Sequence, residues 1–315
     1  MNTDTQTAQD SVHFEARFLH PRYWLTWLWL GFLWTATRLP YPWVVKLGRG
    51  IGALFYRLAS KRRHYAQTNI RLCFPEKSPE EQERIVRESF AGTGVGLLES
   101  GFVWWTPLEK LAPRFTIEGL DALLEAKARG EKLLMIGMHN TCMEIGYSFI
   151  SHALPLNILF RVNDNPVWEY VSRKGRGRFS IRLVPRKQVK LFLDLLDGEG
   201  ACLLAPDQDL GPKRSLFSSF FNIQTAMVPS VSDFARQKGA KVMMASTIRT
   251  DSGYAIKIEP ILENFPSDDL QADTDLCTAL IERVVAAHPE QYLWAHRRFK
   301  TRPAGEASLY TKKAK

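Results

Sequence analysis

Short apolar runs alternate with helix-length segments from residue 115 to residue 287, and that alternation constrains the fold most. The runs 133–138, 156–161 and 201–205 are too short for helices and suit buried strands. Segment 120–129, closed by Gly130, suits a helix, as do 188–196 and 228–238. Residues 115–117 read as a further strand. Residues 241–249 and 254–261 flank the turn Thr250-Asp-Ser-Gly253 as a hairpin, and 273–287 is a late helix. Upstream, Ser78-Pro-Glu-Glu81 is a capping box with Pro at the first helical position. It predicts a helix running towards Trp105, interrupted by Gly92, Gly94 and Gly96. The pattern predicts an α/β fold with a mixed or mostly parallel sheet flanked by helices, preceded by an N-terminal membrane-associated helical segment.

That segment, residues 23–37, holds Trp24, Trp27, Trp29 and Trp34 with no charge between Arg22 and Arg38. As a helix it spans roughly 22 Å, short of a hydrocarbon core of ~30 Å. Tryptophan favours the headgroup interface. The helix can lie in one leaflet, span if its ends are drawn in, or pack as a core helix. No small-residue cleavage site follows it. Lys46, Arg49, Arg57, Lys61, Arg62 and Arg63 form a basic flank attracted to anionic lipid, which marks a cytoplasmic side. The expected organisation is a disordered tail (1–12), a membrane anchor with its basic flank (13–65), and one catalytic domain (66–310).

The net charge of +9 and pI near 9.4 call for an anionic partner. The four cysteines show no C-x-x-C spacing, which suits a reducing compartment rather than a disulfide framework or a zinc ribbon.

The chemistry concentrates where strands end, which is where open α/β sheets bind ligands. His139 follows the run 133–138 directly, with Glu144 after four intervening residues. A His can take a proton from a hydroxyl, and a carboxylate can orient the imidazole. No Gly-x-Ser-x-Gly elbow supplies a nucleophile, so the substrate supplies it, which points to a His-dependent transferase. Cys142 is either a nucleophile or a small residue in a packed loop. The His/Glu spacing is not His-Glu-x-x-His, and no third zinc ligand is placed.

Pro206-Asp-Gln-Asp209 follows the run 201–205 in the same way. Asp207 and Asp209 can orient a catalytic group, bind a sugar hydroxyl or cap a turn. Between Tyr170 and Phe192 stand Arg173, Lys174, Arg176, Arg178, Arg182, Arg186, Lys187 and Lys190 without an acid. Arginine suits bidentate phosphate recognition. Nucleic acid competes for this run, but Trp168, Tyr170 and Phe179 form no single-strand stacking motif. In the tail, residues 289–303 interleave cations with aromatics, and His296 is a second acid/base candidate.

Together these segments resemble the late acyltransferases of lipid A biosynthesis, the lauroyl/myristoyl/palmitoleoyl family. The likeness rests on Asn69-Ile-Arg-Leu-Cys-Phe-Pro75, the His139/Glu144 pair, Arg161 with Asn163-Asp-Asn165, Gly175-Arg176, Pro206-Asp-Gln-Asp209, and the tail from Pro289-Glu-Gln-Tyr to Arg302-Pro303. The tail looks more like the branch that adds laurate or palmitoleate than the myristoyl branch. The resemblance implies transfer of an acyl chain from acyl carrier protein to a hydroxyl of a Kdo-bearing tetra-acylated lipid A precursor, at the cytoplasmic face of a bacterial inner membrane. It implies His139 as general base, Glu144 as its orienting partner, and Arg176 on the developing charge or a substrate phosphate. Arg161, Asn163, Arg173, Arg178, Asp207 and Asp209 are the expected substrate-binding residues. Neither a metal nor a cofactor beyond the carrier thioester is called for. The expected partners are acyl carrier protein, lipid A precursor and membrane phospholipid, with no nucleic acid.

Overall fold

The computed structural model describes residues 13–310; the expected tail 1–12 lies outside them. Four helices come first: α1 (Trp24–Ala36), α2 (Tyr41–Leu58), α3 (Ser60–Cys73) and α4 (Pro79–Trp105). The one-turn α5 (Leu108–Leu111) leads into the sheet. Then follow β1 (Phe115–Glu118), α6 (Leu120–Ala128), β2 (Leu133–Ile136), α7 (Met143–Ala153), β3 (Leu156–Phe160), α8 (Pro166–Gly177), β4 (Ile181–Pro185), α9 (Val189–Asp194) and β5 (Ala201–Leu204). The chain closes with β6 (Leu216–Phe220), β7 (Ile223–Met227), α10 (Ser230–Lys238), β8 (Lys241–Arg249), β9 (Tyr254–Ile258) and α11 (Leu270–Ala287).

The seven-stranded sheet runs β1-β9-β8-β2-β5-β3-β4. Every neighbouring pair is parallel except β8 and β9, which form the expected hairpin. The sheet is therefore mixed, with helices flanking it. β2 and β5 are wholly buried, as central strands covered on both faces must be. The separate β6–β7 hairpin has no counterpart in the sequence reading. Its two-residue turn is Phe221-Asn222, both at positive φ, with no Gly to signal it.

α4 is the spine of the helical half. Ser78 Oγ accepts from the Glu81 N–H at 3.2 Å while Glu81 Oε2 accepts from the Ser78 N–H at 3.0 Å, completing the capping box. Its glycines do not interrupt it, contrary to the sequence reading. They are contact points: a Cβ on Gly94 would strike the backbone of Gly48 and Gly52, and one on Gly96 would strike the Thr141 carbonyl. Close approach of backbones is worth more here than the entropy that Gly costs a helix.

No helix among the described residues is long and apolar enough to cross a membrane. α1 buries Leu30, Leu33 and Ala36 against the protein and leaves Leu25, Leu28 and Phe32 exposed.

Candidate active site

His139 lies three residues beyond the last residue of β2, and Asp207 three beyond the last of β5. The two strands are parallel neighbours with Ile136 opposite Leu204, so the loops leave the sheet in register. His139 Nδ1 stands 2.6 Å from Asp207 Oδ1, and the His139 backbone N–H donates to Asp207 Oδ2 at 2.9 Å. Asp207 is fully buried, whereas the imidazole keeps about a quarter of its surface exposed (23%). Burial opposes the imidazolium, but the Asp207 charge and hydrogen bond outweigh it and raise the His139 pKa. Burial likewise works against the Asp207 carboxylate; the His139 contacts hold its pKa well below the usual range. Asp207 thus fixes Nδ1 and leaves Nε2 for chemistry.

The expectation that Glu144 holds this imidazole is corrected. Glu144, in the first turn of α7, instead takes Arg176 of α8 in a two-point contact, Nε to Oε1 at 2.7 Å and Nη2 to Oε2 at 2.5 Å. Trp104 Nε1 adds a donor to Oε1 at 3.3 Å. α7 opens at Met143, so Glu144 sits in its first turn while His139 stays in the loop before it, and the carboxylate pairs with α8. Burial disfavours the Arg176 cation, yet Glu144 more than offsets it and raises its pKa.

The loop carrying His139 is braced from behind. Asn140 pairs with the Thr247 carbonyl, and the Thr141 N–H donates to the Gln291 carbonyl at 2.8 Å. Arg249 donates to the Thr141 carbonyl at 3.0 Å and pairs with Glu99 of α4 at 2.5 and 2.8 Å. Tyr254 donates to Glu99 at 2.6 Å, completing a buried network. No motif in the sequence signals Glu99 or Arg249. Cys142 is 1% exposed, and burial pushes its thiol up to about 12, so it supports packing and not nucleophilic chemistry. His296 gives its Nδ1 to the Leu293 carbonyl at 2.6 Å, and burial lowers its pKa to about 4.

A cavity of about 800 Å³ opens beside His139, Glu144 and Arg176. Its floor is apolar, with Ile158, Leu159, Leu183 and Leu203. Its lining also includes Arg161, Arg186, Lys213 and Arg214. An apolar slot with a few convergent polar groups is the usual form of a small-ligand site. Arg161 pairs with Asp164 at 2.9 Å. The remaining expected binding residues do not line the cavity. Asn163 Oδ1 accepts from the Asn165 N–H at 2.9 Å, before α8. Arg173 pairs with Glu169 at 3.3 Å, and Arg178 donates to the Trp104 carbonyl at 2.7 Å. Asp209 is a tail anchor, accepting from the Thr301 hydroxyl at 2.8 Å and backbone N–H at 2.5 Å. The sequence reading passed over Lys213 and Arg214, although they follow Asp207 by only six and seven residues.

The family described as bacterial lipid A biosynthesis acyltransferase matches residues 11–301. The chain is 37% identical to the lipid A biosynthesis palmitoleoyltransferase of Escherichia coli, over 94% of this chain and 98% of the relative. It is 34% identical to that organism's lipid A biosynthesis lauroyltransferase at the same coverage. With its lipid A biosynthesis myristoyltransferase the identity is 30%, over 99% of this chain and 98% of the relative.

Proposed function

Because the chain belongs to the bacterial lipid A biosynthesis acyltransferases, and is therefore an acyltransferase, we propose that it moves a fatty acyl chain, laurate or palmitoleate, from acyl carrier protein to a hydroxyl of a Kdo-bearing tetra-acylated lipid A precursor. The observation that carries the mechanism is the 2.6 Å contact between His139 and Asp207 at the edge of the cavity. His139 Nε2 takes the proton from the acceptor hydroxyl as its oxygen attacks the thioester carbonyl carbon. Asp207 holds the imidazole and balances the imidazolium. The tetrahedral intermediate collapses, the C–S bond breaks, and the imidazolium returns its proton to the departing thiolate. Arg176, whose Nε and Nη2 are held by Glu144, offers Nη1 to the negative charge that develops on the carbonyl oxygen. The apolar cavity floor accepts the acyl chain.

The protein works, in this reading, at the cytoplasmic face of the bacterial inner membrane. Leu25, Leu28, Trp43 and Leu58 expose more than half of their surface along α1 and α2, with Lys46 and Arg57 on the same helix pair. Such a surface suits insertion into one leaflet, with cations against anionic phospholipid headgroups.

The test is a transfer assay in mild detergent, with labelled tetra-acylated precursor and carrier proteins loaded with chains of increasing length. The expected result is a mass gain of one acyl chain, reduced about 10²–10⁴-fold in His139→Ala. Undiminished transfer by that variant refutes the mechanism, and no transfer by folded wild-type protein refutes the reaction.

A further inference from the structure

The cavity is charged unevenly. On the side of His139 its lone carboxylate, Glu144, is already matched by Arg176. The same lining holds Arg186, Lys213 and Arg214, all exposed, and none has an ion-pair partner among the described residues. Three cations lining one cavity without a counter-charge repel one another unless an anion joins them. Their placement follows from the sheet. Phe160 pairs with Pro185, and the Arg186 N–H donates to the Phe160 carbonyl at 2.9 Å, so Arg161 and Arg186 leave β3 and β4 side by side. Ile158 pairs with Leu203 and Ile136 with Leu204, which sets the exits of β3, β5 and β2 at nearly one level. Lys213 and Arg214 sit in the loop after β5, the same loop that carries Asp207. Along this edge the exit of β4, which carries Arg186, is three strand spacings, about 14 Å, from that of β2, whereas the loop after β5 leaves the sheet one spacing from it.

Resting on the proposed acyl transfer, we propose that Arg186, Lys213 and Arg214 form a site for a phosphate monoester carried by the acceptor, on the same cavity that His139 lines. A phosphate monoester fits because it brings nearly two charges and three acceptor oxygens to a cluster with two guanidinium forks. Arg161 shares the row, but Asp164 already compensates it. Such a site fixes the direction in which the acceptor lies across the cavity.

The experiment compares wild type with the triple variant Arg186→Ala, Lys213→Ala, Arg214→Ala, full length and in detergent. Lys110→Ala with Lys241→Ala serves as the control, since these exposed cations do not line the cavity. Acceptor is offered in phosphorylated form and after phosphatase treatment. With phosphorylated acceptor, KM should rise at least tenfold in the triple variant while kcat changes less than threefold. With dephosphorylated acceptor, wild type and triple variant should share one raised KM. Equal losses on both acceptors, an unchanged KM, or a rise confined to the carrier-protein donor, whose prosthetic arm carries a phosphodiester, overturns the site. A second arm needs no turnover and so separates this proposal from failure of the reaction itself. Inorganic phosphate should raise the thermal midpoint of wild type and control but not of the triple variant. An identical shift in all three proteins overturns the proposal even if transfer is normal.

Discussion

His139 and Asp207 stand at matching positions beyond two adjacent parallel strands, and this shared level closes their 2.6 Å contact. The pair is held at two points, because the His139 backbone N–H also donates to the same carboxylate. Asp207 therefore positions both the ring and the loop that carries it.

Asp207→Asn should show its effect in the pH profile. His139 must be neutral to act as a base, and Asp207 raises its pKa above the ordinary value of about 6.5. In wild type the acidic limb of kcat/KM should lie above that value. Without the carboxylate, burial and the Arg298 charge remain, both of which disfavour the imidazolium, so the limb should move to lower pH as turnover falls. A limb that stays in place in Asp207→Asn excludes this assignment. Stability follows the same signs. The raised His139 pKa contributes stability below about pH 6.5, lost as pH rises through the folded value, while the lowered Asp207 pKa contributes stability above about pH 4, lost as pH falls.

Glu144 and Arg176 should behave as a unit in a double-mutant cycle. Either Glu144→Ala or Arg176→Ala leaves a partly buried charge without its partner, and each should cost up to about 3 kcal/mol. The double variant should be less destabilised than the sum of the two, because no orphaned charge remains. Denaturant midpoints measure this, and strict additivity counts against a coupled pair. Arg176→Lys should lower turnover as well, since an ammonium cannot reproduce the two-point contact.

Arg249→Met should destabilise the protein strongly. It leaves Glu99, only 1% exposed, without its cation and removes a donor to the Thr141 carbonyl. Breaking a buried pair from one side costs about 3–5 kcal/mol. Equilibrium urea unfolding gives the magnitude; a loss below about 1 kcal/mol contradicts the bracing role. Mobility of the His139 loop should increase, read as faster amide exchange at residues 139–142.

Gly94→Ala probes the α2–α4 contact. On helix propensity alone the change should stabilise α4 by roughly 0.8–1 kcal/mol. Here the new methyl meets the backbone of Gly48 and Gly52, so the net effect should be destabilising by about 1–3 kcal/mol. Gly50→Ala, with open space around its Cβ, is the matched control and should be neutral or stabilising. A gain of stability in Gly94→Ala refutes the close packing.

Local pattern was enough to place most of the sheet, because a bounded apolar run reports its own burial. β2, β3 and β5 begin at the expected residues and end within one or two of the expected bounds. The same logic exposed His139 and Asp207 as strand-end residues. β4 was hidden because Ile181-Arg-Leu-Val-Pro185 lies inside a basic run whose charge masks its alternation. The α8 helix was hidden for the same reason, although Asn165-Pro166 carries a cap and a favourable first residue.

The sequence by itself determined which residues can do chemistry, since side-chain type and position after a strand are local properties. Only the tertiary structure decided which of them meet. The order β2-β5-β3-β4 brings together residues 68 apart in the chain as His139 and Asp207, and 32 apart as Glu144 and Arg176. Strand order and register are set by packing of the whole core, and no spacing within a motif encodes them. That is why the carboxylate nearest His139 in sequence serves an arginine, while one from a neighbouring strand serves the histidine.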